Sequence, residues 1–394
     1  MEDINVPTYF LCPISLDIMK DPVTVPSGIT YDRQSIEKWL FSNKNTTCPV
    51  TKLDISNCEL IPNHNLRRLI QSWCTINASP GVERFPTPKP LIAKHQILNI
   101  LKNSSPLEQC VKLRIIASEN ESNKYCMKSA GVEEFLLSVM LQDVHTSAKE
   151  GALNVLTLLQ VSDVSLKVLA KDHYEVFVKS VVEIMKNGGN EARANAIVLM
   201  ESVLGLADLG KILSFPSDVF AQTVMVLHDR PSAQAVKAAL KVMISICPWG
   251  RNREKAIDLN AVHVLVDLLV DTSSRRTCEL GLILMDVLCQ CSEARAALMS
   301  HAAGLAVVSK KILRVSAVGD DRAMRVIASV AKWRPKRSFA EEMLEVGVVA
   351  KLCLVLKVDC GEKVKKIAYE MLKLHADTWK DSPCIPSKLS ASYP

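Results

Sequence analysis

Two Cys-Pro dipeptides stand near the start of the sequence, Cys12-Pro13 in FLCPISLDIM and Cys48-Pro49 in TTCPVTK. Cysteines so placed raise two chemistries, metal ligation and nucleophilic attack. A structural zinc site needs four Cys or His ligands, commonly delivered as closely spaced Cys pairs. Here Cys12, Cys48, Cys58, Cys74 and His64 are each isolated, so neither a metal nor any other cofactor is expected. A nucleophilic thiolate needs a base or a helix N-terminus beside it, and such a partner is spatial rather than sequential. No local nucleophile signature flanks Cys12, whose neighbours Leu11, Pro13 and Ile14 are apolar. Its simplest role is that of a small hydrophobe packing a loop.

The elements that hold these dipeptides can be read from turn chemistry and periodicity. Asp21 to Tyr31 reads as a hairpin, with Val23 and Val25 on one face and a turn at Pro26-Ser27-Gly28. Asp32 can cap a helix on which Ile36, Trp39 and Leu40 share a face. Pro62-Asn63 opens a second helix with Leu66, Leu69, Ile70 and Trp73 in register, Asn63 being its cap. Pro80, Pro86, Pro88 and Pro90 then crowd the segment SPGVERFPTPKP, which denies backbone donors to helix or sheet and favours an extended spacer.

Beyond the spacer the chain repeats. A small residue followed by apolar residues at +3, +4 and +7 recurs at Ala152, Ala196, Ala239, Gly281, Ala323 and Ala368, with separations of 44, 43, 42, 42 and 45. A second series begins shorter helices at Val132, Val176, Val219, Val262, Leu305 and Val348, separated by 44, 43, 43, 43 and 43. A shared period near 43 with about three helices per unit is the size class of armadillo or HEAT repeats. The Met, Leu and Val stripes are read as core packing, not as a cofactor box. At +7 the last unit carries His375, read as a terminal cap meeting water.

Bulk composition narrows the classes. A chain of 394 residues is too long for one ordinary core. With 48% hydrophobic, 23% charged and 5% aromatic residues it fits an ordered, helix-rich protein. The net charge of +6 is spread over both halves, unlike the basic stripe of a nucleic-acid binder, so no nucleic-acid partner is expected. Thirteen scattered cysteines fit reduced thiols, hence a cytoplasmic or also nuclear location. The start MEDINVPTYF lacks a signal-peptide pattern and no run of eighteen apolar residues occurs, so no transmembrane segment is expected.

The stretch F-x-C-P-I-S-x-x-I-M-x-D-P-V-T-V-x-S-G-x-T-Y-D-R-x-x-I-x-x-W, then C-P-V-T, then L-I-P-N-x-x-L-R-x-L-I-x-x-W resembles the U-box along its whole length. The order of U-box, proline-rich spacer and helical array resembles the plant U-box/armadillo ubiquitin ligases, and the N-terminal U-box with VERFPTPKP resembles their short subgroup tied to immune and stress signalling. That resemblance implies a small α+β, RING-like U-box without zinc at residues 1–78, a linker at 79–92, an all-α armadillo-repeat solenoid at 93–380 and a disordered tail at 381–394. It implies a ligase with no catalytic nucleophile: the U-box holds a ubiquitin-conjugating enzyme (E2) charged with ubiquitin and positions its thioester. By the same resemblance the E2 contacts fall on Cys12, Pro13, Ile14, Trp39 and Pro49, and Lys52 stands where such ligases often carry an Arg linchpin. A lysine supplies charge but not the planar multi-donor fork. Asp21, Asp32, Arg33, Asn63 and Arg67 are candidates for the polar framework that stands in for metal, while Asp32 and Asn63 read equally well as helix caps.

The solenoid is expected to recruit protein substrates, with self-association left open. At +6, where classical armadillo grooves carry Asn, this chain has Leu158, Ser202, Ser245, Val287, Ser329 and Leu374, which disfavours an importin-like grip. The basic run KWRPKR, Lys332 to Arg337, reads as a solvated loop broken by Pro335. A non-catalytic adaptor with an inactive U-box is the alternative, and the Lys52 departure is its sequence support.

Overall fold

The computed structural model describes residues 6–42, 45–55, 59–76, 92, 94–102, 105–213, 215–249, 251–333, 337–374 and 376–379. Cys58, most of the proline-rich segment, Arg334 to Lys336, His375 and the residues from Lys380 onward lie outside the described residues. The chain forms two compact units, Met1–Val139 with Val155–Gln160 and Met140–Asn154 with Val161–Pro394.

The first unit begins with a three-stranded sheet in the order β2-β1-β3, formed by β1 (Pro22–Thr24), β2 (Thr30–Asp32) and β3 (Ile61–Pro62). The hairpin register pairs Val23 with Tyr31 and Thr24 with Thr30, and Gly28 closes its turn at φ +82°, a conformation that favours glycine. Helix α1 (Arg33–Glu37) runs into a π turn over Lys38–Ser42, and α2 is His64–Ile76. Val23, Val25, Tyr31, Ile36, Ile70 and Cys12 are buried in one core. Trp39, Leu40, Leu66 and Trp73 pack on it partly buried, but Leu69, expected on the same stripe, is 57% exposed. The third strand was not legible because two residues containing a proline carry no strand pattern.

Four further helices follow, α3 (Lys94–Lys102), α4 (Pro106–Glu119), α5 (Glu121–Ser129) and α6 (Val132–Leu141), the last residues of α6 falling in the second unit, and the end of the helix Thr146–Leu159 returns to the first. Ser105 and Asn120 cap α4 and α5 by accepting from Glu108 and Asn123 N–H groups.

The second unit is an all-helical array in which the expected period is visible as packing. Helices Asn190–Leu204, Ala233–Ile246, Arg275–Leu288, Ala317–Trp333 and Glu362–Leu374 each pack against the next. Their small residues Ala196, Ala239, Gly281, Ala323 and Ala368 are buried, which lets neighbouring axes approach. At Gly281 an added Cβ would lie 2.9 Å from the side chain of Leu269. In the second series Val132, Val219, Val262, Leu305 and Val348 are buried, whereas Val176 is exposed. There the helix starts earlier, at Tyr174, and Phe177 takes the buried place. Trp379 is fully buried and donates its Nε1–H to the Ala340 carbonyl at 3.0 Å, so ordered packing continues to the end of the described chain.

Candidate functional site

The two Cys-Pro segments form loops with the same backbone bonding. In the first, Cys12 N donates to Asp17 O at 2.8 Å and Leu16 N donates to Cys12 O at 2.8 Å. In the second, Cys48 N donates to Leu53 O at 2.8 Å and Lys52 N donates to Cys48 O at 3.0 Å. Each loop is closed by one antiparallel bridge, Leu11 to Ile18 and Thr47 to Asp54. Each also turns through a left-handed residue, Leu16 at φ 61° and Lys52 at φ 60°. Pro13 and Pro49 fix φ at the entry to each turn. Position by position, Ile14 therefore corresponds to Val50, Ser15 to Thr51 and Leu16 to Lys52. The signal for this duplication, C-P-aliphatic-Ser/Thr written twice, stands in the sequence, and reading each cysteine singly misses it.

Both cysteine sulfurs are hydrogen-bond acceptors beneath their loops. Asp32 N donates to Cys12 Sγ at 3.3 Å. Cys48 Sγ is met by Ser27 Oγ at 3.1 Å, the Tyr31 hydroxyl at 3.0 Å and Thr51 N at 3.5 Å. Burial pushes the Cys48 thiol up, yet the bonds from Ser27, Thr51 and Tyr31 outweigh it and bring the group down to about 6. Tyr31 is pushed well above its ordinary value, by burial first and then by its bond to Cys48. The second loop is thus pinned by a thiolate acceptor, with the Tyr31 oxygen also accepting from Val50 N at 3.3 Å. A folded-state pKa below the ordinary thiol value contributes stability that is full above the unfolded pKa and lost as pH falls through about 6. The melting-temperature gap between wild type and Cys48→Ser should accordingly widen from pH 6 to about pH 9. A gap independent of pH would rule out the thiolate.

The polar framework candidates divide. Arg33 Nε meets Asp21 Oδ2 at 2.6 Å, and Arg33 N donates to Asp21 O. Asp32 occupies the N-cap position of α1 but makes no side-chain cap. Its Oδ1 instead accepts from Lys20 N at 2.8 Å and Asp21 N at 3.0 Å, tying the exit of the first loop to the helix. The cap expected of this side chain is therefore absent: an oxygen already spent on two loop amides has turned away from the helix. Asn63 does cap α2, accepting from Leu66 N at 3.1 Å, while its amide lies 3.4 Å from Thr24 Oγ1. Arg67 Nε is buried with no hydrogen-bond partner among the described residues.

The expected contact residues sit at different depths. Cys12 is fully buried, so it shapes the loop from below and presents no surface to a partner. Pro13 is exposed, and Ile14, Trp39 and Pro49 are half-buried, Ile14 and Trp39 leaning on the core. Trp39 Nε1 donates to Thr47 O at 2.8 Å, which fastens the helical turn to the base of the second loop. Around them stand Leu16, Val50 and Leu53, exposed by 73%, 52% and 59%, which the sequence reading did not single out. Lys52 is exposed but folds back, its Nζ donating to the Pro49 carbonyl at 2.9 Å. Two Cys-Pro loops and a helical turn thus present apolar side chains on a rigid polar base, an arrangement suited to a small transient interface. No group of three or more His, Cys, Asp or Glu side chains able to hold a metal occurs among the described residues.

The +6 positions from Leu158 to Leu374 carry no Asn and so no Asn ladder. A cavity of about 940 Å³ opens between helices Ala261–Asp271, Gly304–Lys311 and Ala317–Trp333, lined by Arg275, Lys310, Lys311 and Arg314 with Asp320 and Asp359. Among the described residues no helix is long and apolar enough to cross a membrane.

Comparison with known proteins gives matches across the chain. Residues 6–79 match the U-box domain, and residues 96–394 match the plant U-box protein ARM repeat region. The E3 ubiquitin-protein ligase PUB23 of Arabidopsis thaliana is 49% identical, over all of this chain and 98% of its own length. PUB22 of the same plant, also an E3 ubiquitin-protein ligase, is 45% identical over all of this chain and 99% of its own length. A solved structure concerned with the interaction between cadherin and beta-catenin covers 79% of this chain and 58% of its own, at TM-score 0.56 and 13% identity, a likeness of fold alone.

Proposed function

Because the chain belongs to the plant U-box proteins with an armadillo-repeat region, E3 ubiquitin-protein ligases of the RING type, we propose that its paired loops and Trp39 turn dock a ubiquitin-charged E2. The observation that carries this is the shared geometry of the loops, which puts Ile14 and Val50 at equivalent positions, with Trp39 bonded to the base of the second loop and packed on the same core as Ile14. No side chain in the site needs to attack ubiquitin. The lysine of a substrate attacks the E2 thioester and the E2 cysteine leaves, so the ligase contributes position and restraint. Pro13, Ile14, Trp39 and Pro49 supply the contact, and the two cysteines, Asp32 and the Arg33–Asp21 pair hold it in shape. Lys52, whose Nζ now donates to the Pro49 carbonyl, acts on the charged E2 as a weaker equivalent of the Arg linchpin.

The armadillo region recruits protein substrates, and the resemblance to the short plant subgroup supports negative regulation of immune and stress signalling in the cytoplasm. Mixing the full chain with E1, a matched E2, ubiquitin and ATP should build ubiquitin on the chain's own lysines, unchanged by a zinc chelator. A chain that stays unmodified with several E2 classes would favour the adaptor reading instead.

A further inference from the structure

Glu37 is an acidic residue at the end of α1 that is only 1% exposed, and the E2 reading makes no use of it. One partner of its carboxylate, Ser122, lies 85 positions away in the sequence. Ser122 N donates to Glu37 Oε2 at 3.3 Å and Ser122 Oγ donates to Glu37 Oε1. Ser122 lies in the first turn of α5, where backbone N–H groups lack helical partners and the helix dipole favours an anion. Arg33 Nη1 lies 3.6 Å from Oε1, the oxygen that Ser122 Oγ also meets. Burial pushes the Glu37 carboxyl up, and the Ser122 and Arg33 contacts oppose that rise.

The π turn that carries Trp39 packs against α5, as does α1. The same helix holds the residue at which the chain leaves the proline-rich segment. Ile92 N donates to Asn123 Oδ1 at 3.3 Å, and Cys126 Sγ approaches Ile92 O at 3.5 Å. Asn123 is itself buried and also donates to Ile116 O at 3.2 Å. Helix α5 therefore grips the E2-facing helical turn through Glu37 and the re-entering chain through Asn123.

We propose that Glu37 and Ser122 form a positioning pair that locks the E2-facing turn of the U-box onto α5, so that a docked E2 is held at a fixed place relative to the first armadillo helices. The proposal rests on Trp39 belonging to the E2 face. A carboxylate held by both the amide and the hydroxyl of one residue has a defined direction, which a lone exposed ion pair lacks. Fixing the platform raises the effective concentration of the lysines that the helical region presents to the thioester, without any new contact to ubiquitin.

The test uses the full chain with Glu37→Gln, Ser122→Ala and the double variant, and Ser122→Thr as the variant that keeps the hydroxyl. Hydrogen exchange at the Ser122 amide should quicken at least tenfold in Glu37→Gln. Ser122→Ala should lower self-ubiquitination at least threefold while discharge of charged E2 onto free lysine stays within twofold of wild type. The double variant should lose no more than Glu37→Gln alone, and Ser122→Thr should restore at least half of the wild-type rate. Unchanged exchange, additive losses, or a parallel fall in free-lysine discharge for Ser122→Ala would overturn the pairing. Trp39→Ala serves as the control for the underlying reading: if it leaves free-lysine discharge intact the E2 assignment fails, whereas Ser122 exchange still reports the lock.

Discussion

Ile14→Ala should lower the rate at which the full chain discharges a ubiquitin-charged E2 by at least tenfold, with the U-box still folded. Ile14 is half-buried against the core at the shoulder of the first loop, next to exposed Pro13 and Leu16. Truncating an apolar anchor at the centre of a small interface costs about 2 kcal/mol or more of binding, which is about thirtyfold in affinity. Because the side chain is only half-buried, its loss from the core costs about 1 kcal/mol of stability, and far-ultraviolet circular dichroism should change little. Val50→Ala should produce a milder fall of the same kind, since the equivalent position on the second loop is the more exposed of the two. Equal activity in both variants would remove the paired loops from the interface.

Asp32→Ala should have the larger structural effect. The Asp32 carboxylate holds the amides of Lys20 and Asp21, where the first loop rejoins the sheet, and its own backbone N–H reaches Cys12 Sγ. Losing a charged acceptor shared by two amides costs about 2–4 kcal/mol, against a stability of about 3–5 kcal/mol for a core of this size. The U-box should then unfold below body-warm temperatures for the most part, E2 discharge should disappear, and the helical array should keep its own thermal transition. Asp32→Asn, which preserves one acceptor oxygen, should recover part of both. A single unchanged transition in Asp32→Ala would show that the framework carries little of the fold.

Much of the architecture was legible because it is periodic. The small residues at Ala196, Ala239, Gly281, Ala323 and Ala368 mark helix contacts that every repeat must make, so composition at a fixed interval reports packing directly. Val176 shows the limit of that logic, because a helix that begins earlier shifts the buried face by one residue while the period survives. In the U-box the hairpin was readable from its turn chemistry, and Ile36 and Ile70 from helical spacing. The short third strand, the outward face of Leu69 and the role of the Asp32 side chain were not, since each depends on a segment distant in the chain. The site was partly legible for the same reason. Cys12 and Cys48 read singly look like isolated residues, although C-P-aliphatic-Ser/Thr is written twice, and the folded backbone adds that the two loops share one bonding pattern with the sulfurs as acceptors. Glu37 carried no sequence signal at all, because its partner lies beyond the proline-rich segment.

On the proposed function, the paired loops activate an E2 with neither a metal nor a covalent intermediate on the ligase. Single-turnover discharge of a ubiquitin-charged E2 onto free lysine, followed with and without the full chain in the presence of a zinc chelator, reads that activation directly. Discharge should be accelerated at least tenfold by the chain, with no thioester-linked ubiquitin on any of its cysteines. Discharge at the rate of the E2 alone, or a reducible ubiquitin adduct on the chain, would contradict it.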